Sequence, residues 1–390
     1  MHTEHARYLM PITSRPELVM HHGQGSFLWD EDGHRYLDLL QGWAVNALGH
    51  SPPELVDVLS LQAARLLTPS PALHNRPQIA LAERLCLLSG MHQAHFATTG
   101  AEANEAALKL ARKWGRLYRH GAYEIVTTEN SFHGRTLALM AASGKPGWEH
   151  MYPPHIPGFV KVPFGDLPAM RQAVGPGTVA LFVEPIQGEA GVVVPPGGYL
   201  RGLRALADEH GLLLILDEVQ TGIGRTGTMF ACEHEGVRPD VLTLGKGLGA
   251  GVPLSAVLAN QRASCFEPGD QGGTFNGNPL GAAVALRVLD VVTRPDFLEH
   301  VMHMSSELRS GLEAMARDLG GTVRGCGLLL AWVLESPVAS AIVDRSRELG
   351  LLVNAARPSV LRLMPSLRIT QDEVALALSL LRRAAEDVLT

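Results

Sequence analysis

A lysine set between two glycines closes an apolar run in this sequence, Asp240-Val-Leu-Thr-Leu-Gly245-Lys246-Gly247. An amine placed there, with room around it for a bulky partner, can form an imine with a carbonyl once desolvation or a nearby cation lowers its pKa. The same residue types also make a plain solvated loop lysine. They do not make a Walker phosphate loop, because Gly247 stands where Ser or Thr must follow the lysine. A second apolar run, beginning at Leu212, ends in Asp217-Glu218. Burial alone raises a carboxyl's pKa, so an ionised Asp217 at the end of a buried strand requires a positive partner. Capping of the following loop is the alternative use. A third stretch, Ala97-Thr98-Thr99-Gly100-Ala101-Glu102-Ala103-Asn104, leads from small residues into strongly helical sequence. The free N–H groups and positive dipole end of such an entry suit a phosphate, although an ordinary threonine cap uses the same residues.

An imine-forming amine, a carboxylate in need of a cation and an N–H cup for phosphate answer to one cofactor. Pyridoxal 5'-phosphate brings an aldehyde, a protonated ring nitrogen and a phosphate. To meet it, the three segments must share one rim of a sheet. Short apolar runs at 124–128, 179–184, 212–217, 240–244 and 254–258 read as buried strands, with helical stretches such as 101–114 and 200–210 between them. That alternation marks an α/β layer. Four runs finish on or beside polar residues (Thr128-Glu129, Glu184, Asp217 and Lys246), and open α/β sheets bind ligands outside the carboxyl ends of their strands. The first fifty residues form a strand-rich opening, with Phe27-Leu28-Trp29 broken by the turn Asp30-Glu31-Asp32-Gly33. The tail alternates helix 297–319, strand 328–334, helix 338–349, a further strand and a helix at 371–389. The expected division is a large domain at 55–285 and a small one assembled from 1–54 and 286–390.

Composition narrows the function class. The chain has 390 residues, 46% hydrophobic and 18% charged, ample for a large core. A net charge of −6 argues against a nucleic-acid or membrane-surface partner, which would need a basic face. Cys86, Cys232, Cys265 and Cys326 are scattered without disulfide or metal-ligand spacing, which suits a reducing compartment and no metal site. No apolar segment approaches the ~18 residues of a membrane span, and residues 1–16 have no signal-peptide core. A cytoplasmic enzyme is expected. Gly222-Ile-Gly224-Arg-Thr-Gly227 is a literal GxGxxG, the mark of a nicotinamide oxidoreductase. It stands too far from the preceding strand, and no long apolar helix follows it.

Taken together the segments resemble the class III aminotransferases of the fold-type I pyridoxal-phosphate enzymes, from Gly25 to about Ile369. The stretches are TTGAEANEAALKLAR (98–112), SFHGRT (131–136), VEPIQGEAG (183–191), LDEVQTGIGRTG (216–227), PDVLTLGKGLGAGVP (239–253), GGTFNGNPLG (272–281) and LRLMPSL (361–367). EHEGVRPD and LGKGLGAGVP look closest to the acetylornithine branch of that family, and neighbouring ω-aminotransferases share much of this wording. The resemblance implies a mostly parallel seven-stranded sheet in the large domain, a smaller α+β domain, and a homodimer with active sites at the subunit interface. It implies ping-pong transfer of the terminal amine of N2-acetylornithine to 2-oxoglutarate, a step of arginine biosynthesis. Succinylornithine, ornithine, 4-aminobutyrate and an aminoadipate-semialdehyde pathway amine are alternative donors.

Residue roles follow from the same resemblance. Lys246 would be the Schiff-base lysine and proton shuttle, and Asp217 the partner of the pyridine nitrogen. Gln220 would meet the phenolic oxygen, with Val219 and Phe132 on opposite ring faces. Thr99, Gly100 and Ala101 would cradle the phosphate, and Thr274 would reach the phosphate of the neighbouring subunit. Arg135 would bind the donor's α-carboxylate and Arg362 that of glutamate or 2-oxoglutarate, a task suited to guanidinium's forked donors. Glu189 would gate Arg362, and Glu184 belongs with the substrate-binding residues. Two departures stand out. Ala101 offers only its backbone where these enzymes commonly have Thr, and Phe27 replaces the tyrosine with which ornithine aminotransferases meet a free α-amino group.

Overall fold

The structure, a computed structural model, describes residues 8–389. Strands β1 (Met20–Gln24), β2 (Phe27–Asp30) and β3 (Arg35–Asp38) form an antiparallel meander. Its second turn is held by Asp30, whose carboxylate accepts from the Asp32 and His34 N–H groups and from the Tyr36 hydroxyl at 2.8–3.1 Å.

The central sheet contains β4 (Gln93–Ala97), β5 (Glu124–Thr128), β6 (Phe159–Val162), β7 (Thr178–Val183), β8 (Leu213–Asp217), β9 (Val241–Leu244) and β10 (Ser255–Ala259). Their order is β4-β10-β9-β8-β7-β5-β6. The five strands from β9 to β6 pair in parallel, and β10 is antiparallel to both of its neighbours. All five apolar runs read from the sequence are strands here. The two strands not read there, β4 and β6, are the sheet's edges, where polar residues such as Gln93, His95 and Lys161 interrupt the apolar pattern. A strand buried on both faces reads as a continuous apolar run, because alternate side chains enter different cores. In β8, Leu213 and Ile215 join one core, together with Ala106, Leu110 and Trp114 of the helix Gly100–Tyr118. Leu214 and Leu216 join the other, with Leu200 and Leu203 of the helix Tyr199–His210. Each such Leu or Ile contributes about 1.5–3 kcal/mol on burial, which fixes where β8 ends and therefore where Asp217 stands.

The tail supplies β11 (Thr322–Cys326), β12 (Leu329–Val333), β13 (Leu351–Leu352), β14 (Asn354–Arg357) and β15 (Val360–Leu363). Four of them form an antiparallel sheet in the order β11-β12-β15-β14, while β13 pairs in parallel with β3 and ties the tail to the N-terminal meander. Strands β11 and β14 lack apolar runs, so only β12 and one further strand were legible in the sequence.

Residues Gly222 to Gly227 form turns followed by a short 3-10 turn at Ala231–Glu235, so the helix a dinucleotide site requires is missing from that place. Arg225 of this loop is buried and donates from Nη1 to the carbonyls of Leu328 (3.0 Å) and Pro365 (2.6 Å). The loop is a joint to the tail. Burial lowers the Arg225 pKa to about 9. Among the described residues no helix is long and apolar enough to cross a membrane.

Candidate active site

Asp217 ends β8 as a buried carboxylate. Its Oδ2 accepts from Asn104 Nδ2 at 2.8 Å and lies 2.8 Å from His133 Nδ1. Its Oδ1 accepts from the Val219 N–H at 3.1 Å, with the Thr243 hydroxyl 3.5 Å away. Asn104 also donates to the His133 carbonyl at 2.7 Å, and the His133 ring stacks on Phe182 with centroids 4.0 Å apart. Asn104 and His133 received no role from the sequence. The available signal was Asn104 itself, a polar residue inside the apolar stripe Ala103, Ala106, Ala107, Leu110 of its helix.

Lys246 follows β9 at the start of a one-turn 3-10 helix, with a left-handed φ of 43° that is unusual for a residue with a side chain. Among the described residues its amine has no hydrogen-bond or ion-pair partner. Burial lowers its pKa, and the charges of Glu189, Arg362, Asp217 and Glu184 all act on it. The charges of four candidate residues from separate segments thus act on this one amine.

Beside it, Thr99 caps the helix Gly100–Tyr118: its hydroxyl accepts from the Glu102 N–H at 3.2 Å, and Glu102 accepts in return from Thr98 and Thr99 at 2.8 Å. Ser255 of β10 anchors the Thr99 carbonyl at 2.6 Å. The first-turn N–H groups of Gly100 and Ala101 have no acceptor within the helix. A β-carbon on Gly100 would come within 2.7 Å of a Val219 methyl, so Val219 and the glycine require each other. Gln220 is equally confined, since a β-carbon on Gly188 would stand 1.6 Å from its Oε1. Its Nε2 is buried and has no hydrogen-bond partner among the described residues. These features fit pyridoxal phosphate: a carboxylate for the ring nitrogen, an orphaned donor for the phenolic oxygen, a free amine for the aldehyde and open N–H groups for the phosphate.

Glu184, at the end of β7, accepts from the Phe132 N–H at 2.9 Å, and burial together with the Asp217 charge raises its pKa well above the usual carboxylate range. Phe132 packs on Trp148 with centroids 5.6 Å apart. Arg135 is exposed and lies 5.8–5.9 Å from those two rings, and Lys145 lies 5.4–5.9 Å from them. Burial and then the Arg135 charge lower the Lys145 pKa. Deeper in, Arg362 is 1% exposed in the middle of β15 and donates to Glu189 at 2.7 Å. Burial would raise the Glu189 pKa, but the charges of Arg362 and Lys246 outweigh it and hold it at about 2. Trp43 lies with its ring 5.5 Å from the Arg362 guanidinium. It is presented by a turn in which Gln41, Gly42, Trp43 and Ala44 all have φ between 46° and 64°. Left-handed backbone costs about 1–2 kcal/mol per residue with a side chain. Thr274 is in an exposed loop, and among the described residues no hydrogen bond or ion pair joins it to the other candidates. Trp43, Lys145, Trp148 and Asn354 were also missed, because each reads locally as an ordinary loop or strand residue.

The family model of class III aminotransferases matches residues 10–385. Acetylornithine aminotransferase 2 of Bordetella bronchiseptica is 52% identical over 372 residues, covering 94% of each chain. Among solved structures, N-acetylornithine aminotransferase of Stenotrophomonas maltophilia is 36% identical with a TM-score of 0.85, covering 98% of both chains. Ornithine aminotransferase of Toxoplasma gondii is 33% identical with a TM-score of 0.95, covering 99% of this chain and 94% of that one.

Proposed function

We propose, from the premise that this chain belongs to the class III aminotransferase family, that it moves the terminal amino group of N2-acetylornithine to 2-oxoglutarate in two alternating half-reactions, as a step of arginine biosynthesis. It is a pyridoxal-phosphate-dependent transaminase. When bound, the cofactor supplies an electrophilic aldehyde carbon and an electron sink. Asp217, held by Asn104 and His133, would pair with the ring nitrogen and favour its protonated form. Gln220 would donate to the phenolic oxygen, Val219 and Phe132 would confine the ring, and Thr99, Gly100 and Ala101 would receive the phosphate. Lys246 would hold the aldehyde carbon and, once free of it, would hold or release a proton at Nζ. A lowered amine pKa suits both tasks.

Arg135, at the mouth, would hold the donor's α-carboxylate and so leave its distal amine at the cofactor. Arg362 holds the α-carboxylate of glutamate or 2-oxoglutarate, and Glu189 occupies Arg362 while the donor is present. Glu184 steadies Phe132 beside the substrate. One observation carries this reading: Glu189 pairs with Arg362 at 2.7 Å while its charge also acts on Lys246. A removable anion of this kind is what one pocket needs to accept a distal amine in one half-reaction and an α-amine in the other.

Favouring an acylated donor are the sequence relatives and Phe27, which has no hydroxyl for a free α-amino group. The active form is proposed to be a cytoplasmic homodimer in which Thr274 meets the neighbouring subunit's phosphate. The division at 55–285 against 1–54 with 286–390 is supported by the pairing of β3 with β13. The deciding experiment is a donor panel of N2-acetylornithine, N2-succinylornithine, ornithine and 4-aminobutyrate against 2-oxoglutarate and pyruvate. N2-acetylornithine with 2-oxoglutarate is expected to give the highest kcat/KM, and no activity with any acylated ornithine would remove the assignment.

A further inference from the structure

A guanidinium has a lateral edge, Nε with Nη2, and an end-on edge, Nη1 with Nη2. In Arg362 the lateral edge is closed. The Asn354 carboxamide oxygen accepts from Nε at 3.1 Å and from Nη2 at 2.9 Å. Both groups facing it are donors, so the Asn354 atom between them must be oxygen. Nη1 is left to meet Glu189 at 2.7 Å and Gln220 Oε1 at 3.4 Å. Strand register produces this arrangement, because Asn354 of β14 is directly opposite Arg362 of β15. Residues opposite each other across an antiparallel pair put their side chains on the same face. The choice of amide also matters. A neutral oxygen orients the fork and leaves its charge whole, whereas a carboxylate there would neutralise it.

We infer that Asn354 is the residue that aims Arg362: it closes the lateral edge and leaves a fully charged end-on edge for the α-carboxylate of glutamate or 2-oxoglutarate. This rests on the reading of Arg362 as the site of that carboxylate.

The test uses the holoenzyme and two variants, Asn354→Asp, which keeps the oxygen and adds a charge, and Asn354→Ala, which removes the oxygen. Each half-reaction is timed separately, with glutamate and with the ω-amine donor. Binding of glutarate, a non-reacting dicarboxylate, is measured by calorimetry. Asn354→Asp is expected to weaken glutarate binding and raise the glutamate KM by about 10- to 100-fold, as loss of a charge-assisted contact does, and to change the donor half-reaction by less than about threefold. Asn354→Ala is expected to act in the same direction on the same half-reaction, and it serves alone if the aspartate variant does not fold. Arg362→Ala separates the two ideas. If it leaves glutarate affinity intact, the underlying reading of Arg362 is wrong. If it abolishes binding while both Asn354 variants bind as the wild type does, or slow both half-reactions equally, the role of Asn354 is overturned.

Discussion

The carboxyl edge of the seven-stranded sheet and the face of the antiparallel β11-β12-β15-β14 sheet meet at Lys246 but bring different chemistry to it. On the edge, Asp217 and Lys246 stand where strands stop, and Asp217 is locked by four neighbours. On the face, Arg362 emerges from mid-strand and donates to Glu189 at 2.7 Å, the acid proposed to leave it for glutamate. The locked group belongs to chemistry common to both half-reactions. The Glu189–Arg362 pair is proposed to serve the choice between them. A residue needed twice per cycle gains from rigidity, while a residue that must tell two substrates apart needs two states.

Substitutions on the two sides should therefore fail differently. Lys246→Ala should have the largest effect, slowing both half-reactions by at least the about 100- to 10,000-fold that a positioned acid–base contributes. The cofactor should still bind, noncovalently. Full turnover in that variant, or loss of one half-reaction only, would break the contrast. Glu189→Ala should leave cofactor affinity near that of the wild type and shift the ratio of the half-reactions by about tenfold towards glutamate, since Arg362 loses its competing anion. Equal slowing of both would count against a gate.

The smallest effect is on stability and has opposite signs in the two regions. Glu218, behind the rim, is raised by burial to about 7, although the N–H groups of Cys232 and Ala231 oppose the shift. Between its ordinary value of 4.5 and about 7 the folded chain keeps a proton that the unfolded chain has lost, so this group's contribution falls as pH rises through that window. Glu189, held at about 2, contributes stability above 4.5 that is lost as pH falls towards 2. Unfolding midpoints measured against pH should show Glu218→Gln flattening the upper window only. A variant whose midpoints fall as steeply as the wild type's between those values would refute the assignment.

Much of the rim was legible from residue order. The run before Asp217 and the glycines around Lys246 are local features, and the buried strands that carry them advertise themselves as unbroken apolar runs. The family resemblance added Arg135, Glu189 and Arg362, none of which stands out by composition. What escaped was the support. Asn104 and Asp217 are 113 residues apart, and His133 and Asp217 are 84 apart. Asn354 looks like any polar residue of a short strand until the β14–β15 register sets it opposite Arg362.

The sequence by itself determined the buried strands of the central sheet, the rim on which polar residues would gather, and the kind of cofactor those residues could hold. These follow from periodicity and run ends, which depend on neighbours along the chain. Only the tertiary structure decided which amide holds Asp217, which amide backs Arg362 and which edge of that guanidinium stays open. Those contacts form between remote segments, and strand register and core packing, the terms that dominate the free energy of the fold, choose among them.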